Sequence, residues 1–308
     1  MTLTSVRQQA ASDTRSGTAR PTLGAIRGAT LVVPDLAAIE RAYVGLLELR
    51  VAARGTIDDA TASMWGAPKA AGRRFLDLEP ASGERVYLRF VENPAAQAVP
   101  SLTTHGWNAI ELTVQDVHAL AARLAGSDFR IIGEPRGLTR FPMIVAMQVI
   151  GPAGECLYLT EIGQGSGLDL ASARSLVGRI FIMVAGGPDI ETLFATYAGF
   201  ANDIDPPVST PVRVLSRANE LPDDTLHAHG LIKLPQGTLI ELDEYPAVTM
   251  PRACAVGDLP AGIVSVRFGV TTLPARDYVG TMGVPGRRIA CLVGAAGERI
   301  ELEEGIDR

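Results

Sequence analysis

AGERIELEEG, Ala296 to Gly305, is a phrase this chain writes four times. The other copies are SGERVYLRF (Ser82 to Phe90), AGECLYLTEI (Ala153 to Ile162) and QGTLIELDEY (Gln236 to Tyr245). Each begins with a Gly able to take the positive φ of a tight hairpin, and the residues after it alternate as a half-buried strand does. The fourth residue after the Gly is Tyr87, Tyr158, Glu241 and Glu301 in turn. Two Tyr copies followed by two Glu copies predict two similar domains, each of two modules.

Upstream of each hairpin lies a strand followed by a helical period. ATLVVPDLAAIERAYVGLL spans Ala29 to Leu47, AIELTVQDVHALAARLAG spans Ala109 to Gly126, and RIFIMVAGGPDIETLFATYAG spans Arg179 to Gly199. Asp35, Asp116 and Asp189 sit where an N-cap belongs. Leu36, Ile39, Ala42 and Tyr43 fall on one helix face, as do Val117, Leu120 and Leu124, and Ile190, Leu193 and Tyr197. The last copy, GIVSVRFGVTTLPARDYVG, is broken by Pro274, so the fourth module is expected to lack a strand or part of its helix. The predicted organisation is a polar arm (1–21), an N-terminal domain (22–163, modules 22–94 and 102–163), a Gly/Ser-rich linker (164–176) and a C-terminal domain (177–308, modules 177–246 and 261–305). FPMIVAMQVI, Phe141 to Ile150, reads as a buried strand.

The bulk numbers narrow the function. Hydrophobic residues make up 47% of 308, enough for packed cores, and the formal net charge is −6. An acidic chain without basic clusters argues against nucleic acid. No apolar run is long enough for a membrane span, and the N-terminus has no apolar core of a signal peptide, so a cytoplasmic protein is expected. Cys156, Cys254 and Cys291 show no metal-ligand spacing, and Cys156 and Cys291 read as buried thiols.

The V-x-D-[L/V] strand ending and the later Gly-led strand, four times in order, resemble the βαβββ module of the vicinal-oxygen-chelate superfamily (glyoxalases, bleomycin-resistance proteins and extradiol dioxygenases). The resemblance covers Thr22 to Gly305. It implies an α+β fold: four βαβββ modules paired into two cup-shaped mixed-sheet domains with helices outside. It also implies a small-molecule ligand or substrate, and it admits a homodimer, although four modules can close both cups within one chain. In that superfamily a cup usually holds a divalent metal on first-strand His and last-strand Glu. The matching first-strand positions here are Gly28, Ala109, Arg179 and Ser265, and the last-strand positions are Tyr87, Tyr158, Glu241 and Glu301. The imidazoles of the usual site are missing, so no metal ligand is assigned and no cofactor is expected, with a divalent metal as the alternative.

Glu241 and Glu301 are therefore expected to face each other in one C-terminal cup. Arg179 holds a ligand position and Arg267 shares the inward face of Ser265. Two arginines facing two glutamates read either as a buried ion-pair network or as a site in which Arg holds a substrate anion while Glu moves a proton. His227 and His229, in LHAHGLIKL, share one face of a strand whose hairpin leads to Glu241; the hairpin length leaves two registers open. In the N-terminal cup Glu111 faces inward with Tyr87 and Tyr158. The expected site is Glu241, Glu301 and His229 for catalysis, with Arg179, Arg267, His227, Glu111, Tyr87 and Tyr158 contacting substrate. The favoured function is lyase- or isomerase-type proton transfer on a small organic molecule. The alternatives are a metal-dependent dioxygenase or glyoxalase-like enzyme with an atypical His/Glu site, and a non-catalytic binding or resistance protein.

Overall fold

A computed structural model describes residues 22–166, 168–200, 204–284 and 287–305; the arm expected at 1–21 lies outside them. The first module runs β1 (Leu23–Val33), α1 (Leu36–Leu47), β2 (Arg50–Thr56), α2 (Asp59–Met64), β3 (Arg74–Glu79) and β4 (Tyr87–Glu92). The second runs β5 (Gly106–Val114), α3 (Val117–Leu124), β6 (Arg130–Gly137), β7 (Ile144–Ile150) and β8 (Cys156–Ile162). The third runs β9 (Val177–Gly187), α4 (Ile190–Tyr197), β10 (Val208–Pro211), α5 (Arg213–Ala218), β11 (Leu226–Leu234) and β12 (Thr238–Glu244). The fourth holds β13 (Gly262–Val270), β14 (Gly280–Val284), β15 (Arg287–Val293) and β16 (Arg299–Glu304), so it keeps all four strands and, among the described residues, loses the whole helix.

Local chemistry sets these elements. Asp35, Asp116 and Asp189 are extended N-caps whose carboxylates accept from the first-turn N–H groups of α1, α3 and α4; each cap contributes about 1 kcal/mol. The buried residues of α3 and α4 are the faces read from the sequence, and α1 buries Leu47 as well. Gly83, Gly154, Gly237 and Gly297 all have positive φ, as their turns require.

Within every module the first strand pairs parallel with the last. The modules do not pair in chain order. One eight-stranded sheet has the order β14-β15-β16-β13-β1-β4-β3-β2, the other β10-β11-β12-β9-β5-β8-β7-β6. The expected pairing of module one with two, and three with four, is thus corrected: module one closes a cup with module four, and module two with module three. The joins are antiparallel, β1 on β13 and β5 on β9. Long apolar first strands make each join: β5 and β9 are buried along their full length and pair with each other.

Three apolar clusters follow. The largest joins the helix-side faces of both sheets, including Tyr43, Phe90, Trp107, Tyr197 and Phe268. The second fills the concave face of the β1–β13 sheet, where α2 and Trp65 lie. The third lines the concave face of the β5–β9 sheet with Phe181, Val184, Leu215 and Tyr245. Two matching ties stitch the cups together across the large core. Tyr43 of α1 donates to Glu155 in the β7–β8 hairpin (2.6 Å), and Tyr197 of α4 donates to Glu298 in the β15–β16 hairpin (3.2 Å). Among the described residues no helix is long and apolar enough to cross a membrane.

Candidate functional site

The cup built on β5 and β9 gathers most of the expected chemistry. β11 and β12 are antiparallel, with His229 opposite Asp243 and Leu231 opposite Glu241. This register puts His229, Glu241 and Asp243 on one face and decides the ambiguity of the hairpin. Glu241, Asp243 and Tyr245 follow at i, i+2 and i+4 along the same face. Glu111 enters from β5, where it is opposite Tyr158 of β8 and Ile182 of β9. Tyr245 closes the row. Its ring lies over Gly186, where an added Cβ would come within 2.3 Å of it.

The cluster is acidic and short of partners. Thr160 donates to Glu111 at 3.4 Å. Burial, followed by the charge of Glu241, pushes the Glu111 carboxyl well above its usual range. Burial raises Glu241 to about 7, partly offset by a hydrogen bond from Asp243. Asp243 is pushed well up by burial and then by the charges of Glu241 and Glu111. The charges that act on these three carboxylates are one another's. Burial lowers His229, which favours the neutral imidazole with one lone pair. Its Nε2 lies 2.8 Å from Thr210 Oγ1, and its Nδ1 lies 3.9 Å from Glu241 Oε1. His229 Nδ1, Asp243 Oδ1 and Tyr245 Oη are all buried without a hydrogen-bond partner. The side chains of His229 and Glu241 nevertheless keep 20% and 22% of their exposure, so open space reaches them.

That donor set fits a divalent cation. Donor atoms of His229, Glu241 and Asp243 lie within 4.8 Å of one another, and one neutral imidazole with two carboxylates suits zinc, manganese, iron or nickel. The unpartnered His229 Nδ1 and Asp243 Oδ1 are what such an ion, or a polar ligand, would satisfy.

The other cup is closed by its own side chains. Glu301 accepts from Trp65 Nε1 (2.8 Å), from Ser265 and from Arg267 through both Nε (2.9 Å) and Nη2 (2.6 Å). Burial alone would raise its carboxyl, but Arg267 and these donors hold it below the usual value. Arg89 forms a second two-pronged pair with Asp77, both contacts 2.8 Å, and lies over the rings of Phe75 and Tyr87. These are two ion pairs in one cup, of which Arg267–Glu301 alone joins residues of the expected network. The expectation that Glu241 and Glu301 share a cup is corrected, because β12 and β16 belong to different sheets. Arg179 and Arg267 are separated in the same way. Arg179 reaches the seam between the sheets, near Gln236 and the Ile26 carbonyl. Tyr87 lies in the closed cup and Tyr158 in the open one. His227 is buried and bonded to Ser216 of α5 at 2.9 Å, which holds that helix across the open cup.

No family model and no curated protein matches the chain. Solved structures do. Glyoxalase I from Zea mays aligns over 91% of this chain and 92% of its own, at 14% identity and a TM-score of 0.57. A variant of that enzyme gives 0.59. A candidate dioxygenase from Bacillus subtilis aligns over 93% of this chain and 86% of its own, at 11% identity and a TM-score of 0.59. The chain has the fold of the vicinal-oxygen-chelate superfamily.

Within this vicinal-oxygen-chelate fold the first-strand ligand positions are filled in ways that explain the missing imidazoles. At Gly28 a Cβ would lie 2.6 Å from the Tyr87 ring, which takes the place of a ligand side chain. Ser265 bonds Glu301, and Ala109 is part of the apolar wall. The sequence reading missed Asp243 and Tyr245. The signal was present in QGTLIELDEY, since the alternation that points Glu241 inward points both of them inward too.

Proposed function

We propose that the β5–β9 cup is the active site of an enzyme that moves a proton on a small organic molecule, with a divalent cation held by His229, Glu241 and Asp243. The observation that carries this reading is the gathering of His229, Glu241 and Asp243 donor atoms within 4.8 Å of one another, with His229 Nδ1 and Asp243 Oδ1 unpartnered. When bound, the cation supplies a Lewis acid that stabilises negative charge on a substrate oxygen. Glu111 stands in the same cup on β5 and serves as the proton carrier, its affinity for a proton raised by burial. The hydroxyls of Tyr245 and Tyr158 orient the substrate through hydrogen bonds. The apolar wall and α5 keep bulk water from the reacting atoms.

A second reading, metal-free proton transfer by Glu241 and His229, is favoured by their 3.9 Å separation and by a Glu241 pKa of about 7. Titration of chelator-treated protein with Mn²⁺, Zn²⁺, Fe²⁺ and Ni²⁺, on wild type, Glu241→Gln and Asp243→Asn, separates the two. One equivalent bound by wild type and lost in both variants supports the metal centre. No uptake leaves the metal-free reading, which then requires solvent deuterium to enter a compound found in a ligand screen, with loss in Glu241→Gln. Failure of both sinks the enzyme.

A further inference from the structure

At one end of the open cup, between its apolar wall and α5, lies a cavity of about 620 Å³ that contains none of the cation-holding side chains. Its volume falls within the roughly 300–1,000 Å³ of small-molecule sites. One wall is β6 and the end of β7, with Ile131, Ile132 and Ile150; the opposite wall is α5, with Val214 and Ala218. The third is the strap from Ala98 to Thr103.

The strap is a built wall. Leu102, buried in it, has φ 64, a left-handed conformation that a branched side chain adopts only when its surroundings impose it. Asn219 donates to the Leu102 carbonyl at 3.0 Å, Ser101 to the Gly154 carbonyl, and Thr103 to the Pro100 carbonyl at 2.7 Å. Two arginines border the cavity and differ in pairing. Arg217 is held two-pronged by Asp223 at 2.8 and 2.5 Å. Arg130 is exposed and, among the described residues, without an ion-pair partner. An aliphatic chamber with one uncompensated guanidinium at its rim is complementary to an apolar body bearing one anionic group.

We propose that this cavity binds an amphipathic monoanion, its apolar body between β6 and α5 and its carboxylate or sulfonate on Arg130. The site shares none of the cation-holding side chains and stands whether or not the metal reading does.

The test uses 1-anilinonaphthalene-8-sulfonate and N-phenyl-1-naphthylamine, which have the same aromatic body with and without the anion. Fluorescence titrations are run on the full chain with and without Mn²⁺. Wild type is expected to bind one sulfonate probe per chain. Arg130→Gln should weaken it at least about threefold and leave the neutral probe unchanged. Ala98→Trp, an exposed position that fills the cavity from the strap, should weaken both. The proposal is overturned if wild type binds neither probe, if Arg130→Gln leaves the sulfonate unaffected or weakens both probes equally, or if Ala98→Trp changes nothing. Both positions are exposed, and unchanged circular dichroism confirms the fold of each variant.

Discussion

Replacing Glu155 with Gln should flatten the stability of this protein between pH 5 and pH 8. Glu155 is 4% exposed; it accepts from Tyr43 Oη at 2.6 Å and from the Ala153 N–H at 2.9 Å. Burial outweighs both hydrogen bonds and lifts its carboxyl from 4.5 to about 7. A folded-state pKa above the unfolded one means the native protein binds the extra proton. That stabilisation is complete below 4.5 and is lost as pH rises through about 7. At about 1.36 kcal/mol for each tenfold change in proton affinity, the rise is worth about 3.4 kcal/mol. Urea unfolding at pH 5 and pH 8 captures most of it: the loss of stability from the lower to the higher pH should be smaller in Glu155→Gln than in wild type by about 2.5 kcal/mol. Its twin provides an internal scale. Glu298 is lifted from 4.5 to about 6, so Glu298→Gln should remove only about 1.2 kcal/mol of the same dependence. If Glu155→Gln keeps the wild-type pH dependence within about 1 kcal/mol, the buried carboxyl is not carrying it and the reasoning fails.

Other outcomes follow from the two cups. A divalent cation bound by His229, Glu241 and Asp243 should raise the wild-type thermal midpoint, by about 2.7 kcal/mol of stability at a hundredfold excess over Kd. Asp243→Asn should lose that response, as read by thermal melts with and without Mn²⁺. Arg267→Met strands the Glu301 carboxylate, only 1% exposed, and should cost about 3–5 kcal/mol in urea unfolding; cation binding in the other cup should be unchanged. Gly186→Ala drives a methyl into the Tyr245 ring at 2.3 Å. A cost of about 1–3 kcal/mol is expected, together with a change in the near-ultraviolet circular dichroism of the displaced tyrosine.

Local features were legible in the sequence because their causes are local. An Asp before an amphipathic period caps α1, α3 and α4, and a Gly at each hairpin takes the positive φ that its neighbours impose. The module pairing was not legible. It rests on β1 meeting β13 and β5 meeting β9, and any of the four apolar first strands could have served as a partner for any other. That one uncertainty moved Glu301 and Arg267 away from Glu241. The register of His229 was open because it depends on the turn at Pro235–Gly237, where Gln236 and Gly237 both adopt positive φ. Asp243 and Tyr245 are legible in the same stretch, because strand alternation places them on the face of Glu241.

The pairing of the modules also makes the chain a set of nested brackets. The whole open cup, residues 106 to 244, is made between the two halves of the closed one. On a ribosome the strand β1 must wait for β13 while residues 93 to 261 are synthesised, roughly 10–30 s at ordinary elongation rates. For that time the β5–β9 cup can complete itself, but the first half-sheet presents a long apolar strand with an unpaired edge. The half of the molecule that ends as the quiet, ion-paired cup is therefore the one most exposed to mispairing and most in need of a chaperone during its own birth.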